Sequence, residues 1–162
     1  MHKILIISIL AFWASLPVKG QNLFLIGEKS YPCTNAIILE SNSSSYSRLN
    51  VFLAKEGNSG LIAVSRRTHY GDSFNGKLII YLDDGNVVTC NENVANENVD
   101  DDAKALYTLT SEQLNKLKIS NIHTVKYTLE GVNEGNFSAS NKGVETNAII
   151  SDLFDAEQGS SG

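Results

Sequence analysis

Few side chains here stand in patterns that could do chemistry. The most suggestive run is Gly71-Asp72-Ser73-Phe74-Asn75-Gly76-Lys77. It reproduces the first seven positions of a phosphate-cradling loop, in which a glycine-rich turn aims backbone N–H groups at a phosphate. The next position should be Ser or Thr to hold magnesium, yet Leu78 stands there, and the run leads into a strand pattern instead of a helix. The match therefore carries no nucleotide site. Asn96, Asn98, Asp100, Asp101 and Asp102 offer the hard oxygen ligands that calcium favours. Aligned as an EF-hand from Asn96, the required glycine falls on Asp101 and the bidentate glutamate on Tyr107, which excludes that motif. A looser calcium site and a plainly solvated acidic loop are the two readings left for this stretch.

His69 and His123 are the histidines beyond the N-terminal segment, and neither has a second His or Cys at zinc-ligand spacing. No Gly-x-Ser-x-Gly or comparable nucleophile setting occurs, so both read as surface or edge residues. Paired carboxylates for glycoside cleavage could be drawn from many acids, and spacing does not choose among them. Asp83 and Asp84 flank a turn, where aspartate is expected for structural reasons alone. No cofactor or metal is expected.

The N-terminus carries an export pattern. Met1-His2-Lys3 is a short basic start, residues 4–16 are apolar apart from serines, and Pro17-Val18-Lys19-Gly20 follows. Small residues at Val18 and Gly20 suit a signal peptidase, which places cleavage before Gln21. The apolar run is shorter than the about 18–20 residues needed to cross a bilayer, and no later stretch reaches that length. The expected product is secreted or periplasmic, with no membrane span after cleavage. The chain has 162 residues and a formal net charge of −5, and cleavage removes Lys3 and Lys19 as well. So acidic a chain, with no basic stripe, should repel nucleic acid and anionic membranes.

Cys33 and Cys90 are the only cysteines. In an exported chain they are expected to form one disulfide, worth up to roughly 4 kcal/mol for a loop of this length. Two buried thiols are the alternative.

Any such groups must be held by strands. GKLIIYLDDGNVVTC (76–90) reads as a hairpin turning at Asp84-Gly85, with Leu82 opposite Val87, Tyr81 opposite Val88, Ile80 opposite Thr89 and Ile79 opposite Cys90. Apolar residues then fall on both faces, which predicts a hairpin covered on both sides at the centre of the fold. Further strands are expected at 22–26, 35–40, 48–55 and 61–68, with Leu49, Val51 and Leu53 on one face. Arg66 and Arg67 must point to opposite faces. A polar, acidic irregular stretch follows through Asp102, and 105–109 is strand-like, with a helical turn over 103–106 as the alternative. Thr110 and Gln113 form a capping box, and Leu109 and Leu114 a hydrophobic staple, for a helix over 111–118. A strand at 122–129 puts Val125, Tyr127 and Leu129 on one face and Thr124, Lys126 and Thr128 on the other. A short edge strand at 137–139 and a helix over 145–154 complete the pattern. Asn42 and Asn136 each begin a glycosylation sequon.

The expected architecture is one α+β domain over residues 21–156, followed by a disordered tail at 157–162. Its mostly antiparallel sheet is built around the central hairpin and packed by two helices in the C-terminal half. A closed barrel with a terminal helix is the rival.

GEKSYPCT (27–34), IYLDDGNVVTC (80–90), LTSEQLNKLK (109–118) and NFSASNKG (136–143) resemble small exported proteins of Gram-negative bacteria that have no assigned function. The resemblance implies a secreted domain and carries over no site or activity. A non-enzymatic module binding a protein or cell-envelope component is the leading functional expectation. A carrier enclosing a small hydrophobic ligand and a hydrolase are the alternatives.

Overall fold

The computed structural model describes the backbone of residues 22–41 and 48–161 and side chains through residue 155. The expected export signal and the Asn42 sequon lie outside the described residues. In chain order the elements are β1 (Asn22–Ile26), β2 (Lys29–Cys33), β3 (Ile37–Ser41), β4 (Arg48–Glu56), β5 (Ser59–Arg67), β6 (Ser73–Leu82) and β7 (Val87–Cys90). There follow β8 (Ala95–Val99), β9 (Asp102–Thr108), α1 (Ser111–Ile119), β10 (Ile122–Glu130), β11 (Gly135–Ser140) and α2 (Thr146–Ser161). Helical backbone thus continues to Ser161, across most of the stretch expected as a tail. The sheet runs β7-β6-β10-β11-β3-β4-β5-β9-β8 and is mostly antiparallel, with β2 joining β4 at its far end and β1 pairing β2.

The β6–β7 hairpin forms, but one residue away from the expected register and at one end of the strand order. Tyr81 pairs Val87, Ile80 pairs Val88 and Leu78 pairs Cys90. The loop has three residues, Asp83-Asp84-Gly85, closed by Leu82 N–H to Asn86 O at 2.9 Å and Gly85 N–H to Leu82 O at 3.0 Å. Gly85, at φ +92°, supplies the left-handed residue that a three-residue hairpin requires. The Asp84 carboxylate accepts from the Asn86 backbone and side-chain N–H groups, which holds its pKa below the usual carboxylate range. This one-residue slip re-sorts the faces. Leu78, Ile80, Leu82, Val88 and Cys90 all turn inward, while Val87 is exposed. The outer face keeps Ile79, Tyr81 and Val87 but is only partly covered, so the hairpin is not buried on both sides.

Double coverage falls instead on β5. Its inner residues Ile62 and Val64 join Leu49, Val51, Leu53, Leu78, Ile80 and Tyr107 in the main core. Its outer residues Leu61 and Ala63 lie under Phe24, Ile26, Tyr31 and Cys33 of the β1–β2 hairpin, together with Ala54 and Leu106. Alanines at 54 and 63 leave room for that hairpin to lie across the sheet. Gly27 N–H donates to Glu97 at 2.8 Å, and Lys104 Nζ to the Leu25 carbonyl at 3.0 Å, pinning it there.

The two ends of the sheet share one core, so the sheet rolls towards a barrel, but without the closed ladder of the rival reading. Its seam is closed by side chains in place of a backbone ladder. Three alternate carbonyls of the β6 region accept from the β8–β9 hairpin. Asp72 O accepts from Asn98 Nδ2 at 2.7 Å, Phe74 O from Asn96 Nδ2 at 3.3 Å, and Gly76 O from Tyr107 Oη at 3.2 Å. Unpaired carbonyls at a partly buried edge are costly, and these donors remove that cost. The stretch expected to be irregular is thus a strand and a tight turn, with Asp100 and Asp101 at φ +54° and +63°. Adjacent left-handed residues are the conformation a two-residue hairpin demands, and aspartate tolerates it.

One mouth of the barrel is covered by helices. The Thr110–Gln113 capping box forms as expected, and Leu117 and Ile150 are fully buried against the core. At the other mouth Arg66 turns inward while Arg67 is exposed. The Arg66 guanidinium lies 4.9 Å from the Phe137 ring centre and donates to Tyr127 Oη at 2.9 Å.

The expected Cys33–Cys90 disulfide is not formed. Both are buried free thiols, Cys33 under the outer hairpin and Cys90 in the main core. Cys33 pairs with β4 and Cys90 with β6, and β3, β11 and β10 stand between those strands. The two thiols sit in separate clusters, Cys33 under the β1–β2 hairpin and Cys90 in the interior. Burial raises the pKa of both thiols, Cys90 from 9.0 to about 12, and burial likewise raises Tyr107 from 10.0 to about 12.

Each raised group is neutral when protonated, so the fold retains protons that the unfolded chain has released. Stability should be full below pH 9 and fall as pH rises through about 12, while reductant leaves the melting temperature unchanged. Urea melts at pH 8 and 11, with and without reductant, check both. Asn98→Asp turns a seam donor into an acceptor of the same shape and should cost about 1–3 kcal/mol, read as a lower denaturation midpoint. An unchanged midpoint would mean the seam does not depend on it.

Candidate functional site

The alternation of β10 places Thr124, Lys126 and Thr128 on the face opposite Val125, Tyr127 and Leu129, as the sequence predicts. That outer face, with its neighbours on β6 and β11, forms a groove of about 430 Å³ lined by Lys77, Ile79, Lys126, Thr128, Asn136 and Ser138. Tyr127 and Phe137 border it too. Their rings stack at 5.6 Å, and Tyr127 is buried, so by alternation these two residues contribute the floor.

A groove on the outside of a sheet needs a bend, and β6 supplies it. Lys126 pairs with Ile79 and Thr128 with Asn75, so β6 carries extra residues around Gly76 and Lys77. Gly76 adopts φ +72°, a left-handed conformation that side-chain-bearing residues pay to enter. Such a bulge sharpens strand twist and re-aims the following side chain, here Lys77. On the inner side, the Tyr107 hydroxyl holds the Gly76 carbonyl.

Above the bulge, Asp72 ties the neighbouring loop in place. Its buried carboxylate accepts from Val132 N–H at 2.7 Å and Asn133 N–H at 3.2 Å, fixing the β10–β11 turn. Its carbonyl takes Thr68 Oγ1 at 3.2 Å besides Asn98. The wall of the groove formed by β10 and β11 is therefore anchored to the start of β6.

Lys126 Nζ stands 5.4 Å from the Tyr81 ring centre. Such a contact steers a cation by about 0.5–1 kcal/mol at an exposed site without neutralising it. Thr128 donates to Asn136 Oδ1 at 2.8 Å, which orients the amide and leaves its N–H₂ for another acceptor. No His, Cys or carboxylate lines the groove.

The residues singled out by sequence fall elsewhere or take other roles. Gly71–Lys77 spans a turn and a strand, and its Asp72 carboxylate fills the anion role at backbone N–H groups that a phosphate would need. Lys77, its last position, does reach the groove, but as a side chain on a bulge. Asn96 and Asn98 point amide donors at carbonyls, where a cation would need acceptors. Among the described residues no three of His, Cys, Asp or Glu gather as metal ligands. His123 opens β10, where its ring contacts Thr124 Oγ1 at 2.7 Å, while His69 follows β5 at the opposite mouth of the barrel. Both are exposed. Asn136 of the second sequon lies in the groove.

Lys77 and Lys126 were missed because each is unremarkable alone. Asn75-Gly76-Lys77 inside a strand pattern was the available signal, since a glycine there marks a bulge.

Gly76→Ala forces a side chain into left-handed backbone and should lower stability by about 1 kcal/mol. Nothing crowds the site of the new methyl group, so strain alone decides the outcome. The amide signals of Lys77 and Lys126 should shift in an NMR spectrum while those of β1 and β2 stay in place.

Comparison with known protein families, curated proteins and solved structures found no match for this chain.

Proposed function

We propose that this chain is an exported, non-enzymatic binding module of the periplasm or cell exterior, and that the β6–β10–β11 groove receives its ligand. The observation that carries the reading is the groove itself, a concavity beside the β6 bulge on the outside of the sheet. Its volume falls in the range of small-molecule and short-segment sites. Its lining offers cations, hydroxyls and an amide, and no histidine, cysteine or carboxylate, which suits holding a ligand over converting one. A cell-envelope component is the partner class most in keeping with the export pattern of residues 1–20.

The two other readings have less behind them. A carrier needs an enclosed apolar space, whereas Phe74, Tyr107 and Tyr127 fill the barrel interior. A hydrolase working in the groove needs a histidine beside a nucleophile or acid, whereas neither His69 nor His123 lines it.

Chains recovered from outside the cytoplasm should begin at Gln21 and lack tryptophan fluorescence, since Trp13 is the only tryptophan. Titrating isotope-labelled protein with fractionated envelope extract should give saturable amide shifts at Lys77, Lys126 and Ser138. Saturable shifts confined to another surface would sink the assignment of the groove.

A further inference from the structure

Resting on the reading of the groove as a binding site, we infer that its ligand is a carboxylated saccharide. Charge is the first argument. The chain is acidic overall, yet the groove holds two lysines and no carboxylate. Among the described residues neither Lys77 nor Lys126 is in an ion pair, while Lys116 and Lys118 have acidic partners. Two lysines lining one concavity with no carboxylate beside them favour an anion there.

The other groups decide which anion. Lysines are compact point charges, and no backbone amide cradle or arginine fork accompanies them, so the site is poorly shaped for a phosphate. Beside them stand groups that suit neutral hydroxyls. Thr128 and Ser138 carry hydroxyls, and Asn136 presents an amide already oriented by its bond from Thr128. Ile79 adds an apolar surface for the C–H face of a sugar ring. An acidic peptide fits less well. β10 lies between β6 and β11, with its backbone groups paired on both sides, and offers an extended peptide no ladder. Nucleic acid is disfavoured by the net charge. Carboxylate, ring hydroxyls and apolar ring face are what a uronic-acid unit brings together, and a monosaccharide or disaccharide suits the volume.

The test uses the chain from Gln21 onward and digalacturonic acid, with its methyl ester and inorganic sulfate as comparison ligands, followed by amide shifts. The acid should bind at the groove about tenfold or more tightly than the ester, and added salt should weaken it. The Lys77→Met and Lys126→Met double variant should lose that difference, whereas Lys29→Met, on β2, should not. Asn136→Ala should weaken the disaccharide and leave any sulfate response unchanged. Melting curves of each variant establish that it folds. Equal binding of acid and ester overturns the inference, as does sulfate binding as tightly as the disaccharide, or a double variant that folds and binds normally. In those cases saturable groove shifts from envelope extract would still support the binding-module reading. Shifts absent from the groove with every ligand and with extract would overturn both.

Discussion

A rolled sheet that does not complete its backbone ladder must satisfy the groups along its seam by other means, and this molecule depends on how it does so. The β6 region presents the carbonyls of Asp72, Phe74 and Gly76 at every second residue, and the β8–β9 hairpin answers with Asn98, Asn96 and the Tyr107 hydroxyl. Spacing makes this possible, because alternate residues of a strand point the same way. Asn96 and Asn98 share one face of β8, and their amides reach where a neighbouring strand's N–H groups would have been. With the seam held, Leu78, Ile80, Ala105 and Tyr107 can occupy a single interior.

The same seam shapes the outer surface. Tyr107 grips the Gly76 carbonyl from within, at the point where β6 bulges, and the bulge presents Lys77 beside Lys126 on the outside. Asp72 extends the coupling, since one residue serves the seam with its carbonyl and the β10–β11 turn with its carboxylate. Interior packing and the exterior groove are therefore two sides of one strand's distortion. A change at the seam should be felt at the groove, although the groove is lined by other side chains.

Coverage of the second face follows a different rule. The outer face of β4 and β5 sets Ala54 and Ala63 beside Phe52 and Leu61, and the β1–β2 hairpin packs over them. That arrangement buries Cys33 on one side of the sheet while Cys90 is buried on the other, so two cysteines in one chain become two isolated thiols.

Elements set by short-range chemistry were legible in the sequence alone. The capping box of α1 depends on residues three apart, and the alternation of β4 and β10 on a period of two. In each case the determining contacts lie within a few residues, so the pattern survives without knowledge of the fold. The β6–β7 register departs from the expected one because one residue of turn length reverses facing, and the Asp84–Asn86 bonds hold the longer turn. The fate of Cys33 and Cys90, the ordering of residues 95–102 and the meeting of Lys77 with Lys126 were decided only by tertiary structure. Each depends on which distant strand lies alongside, and that is settled by closing one apolar interior, a requirement spread over the whole chain and written at no single position.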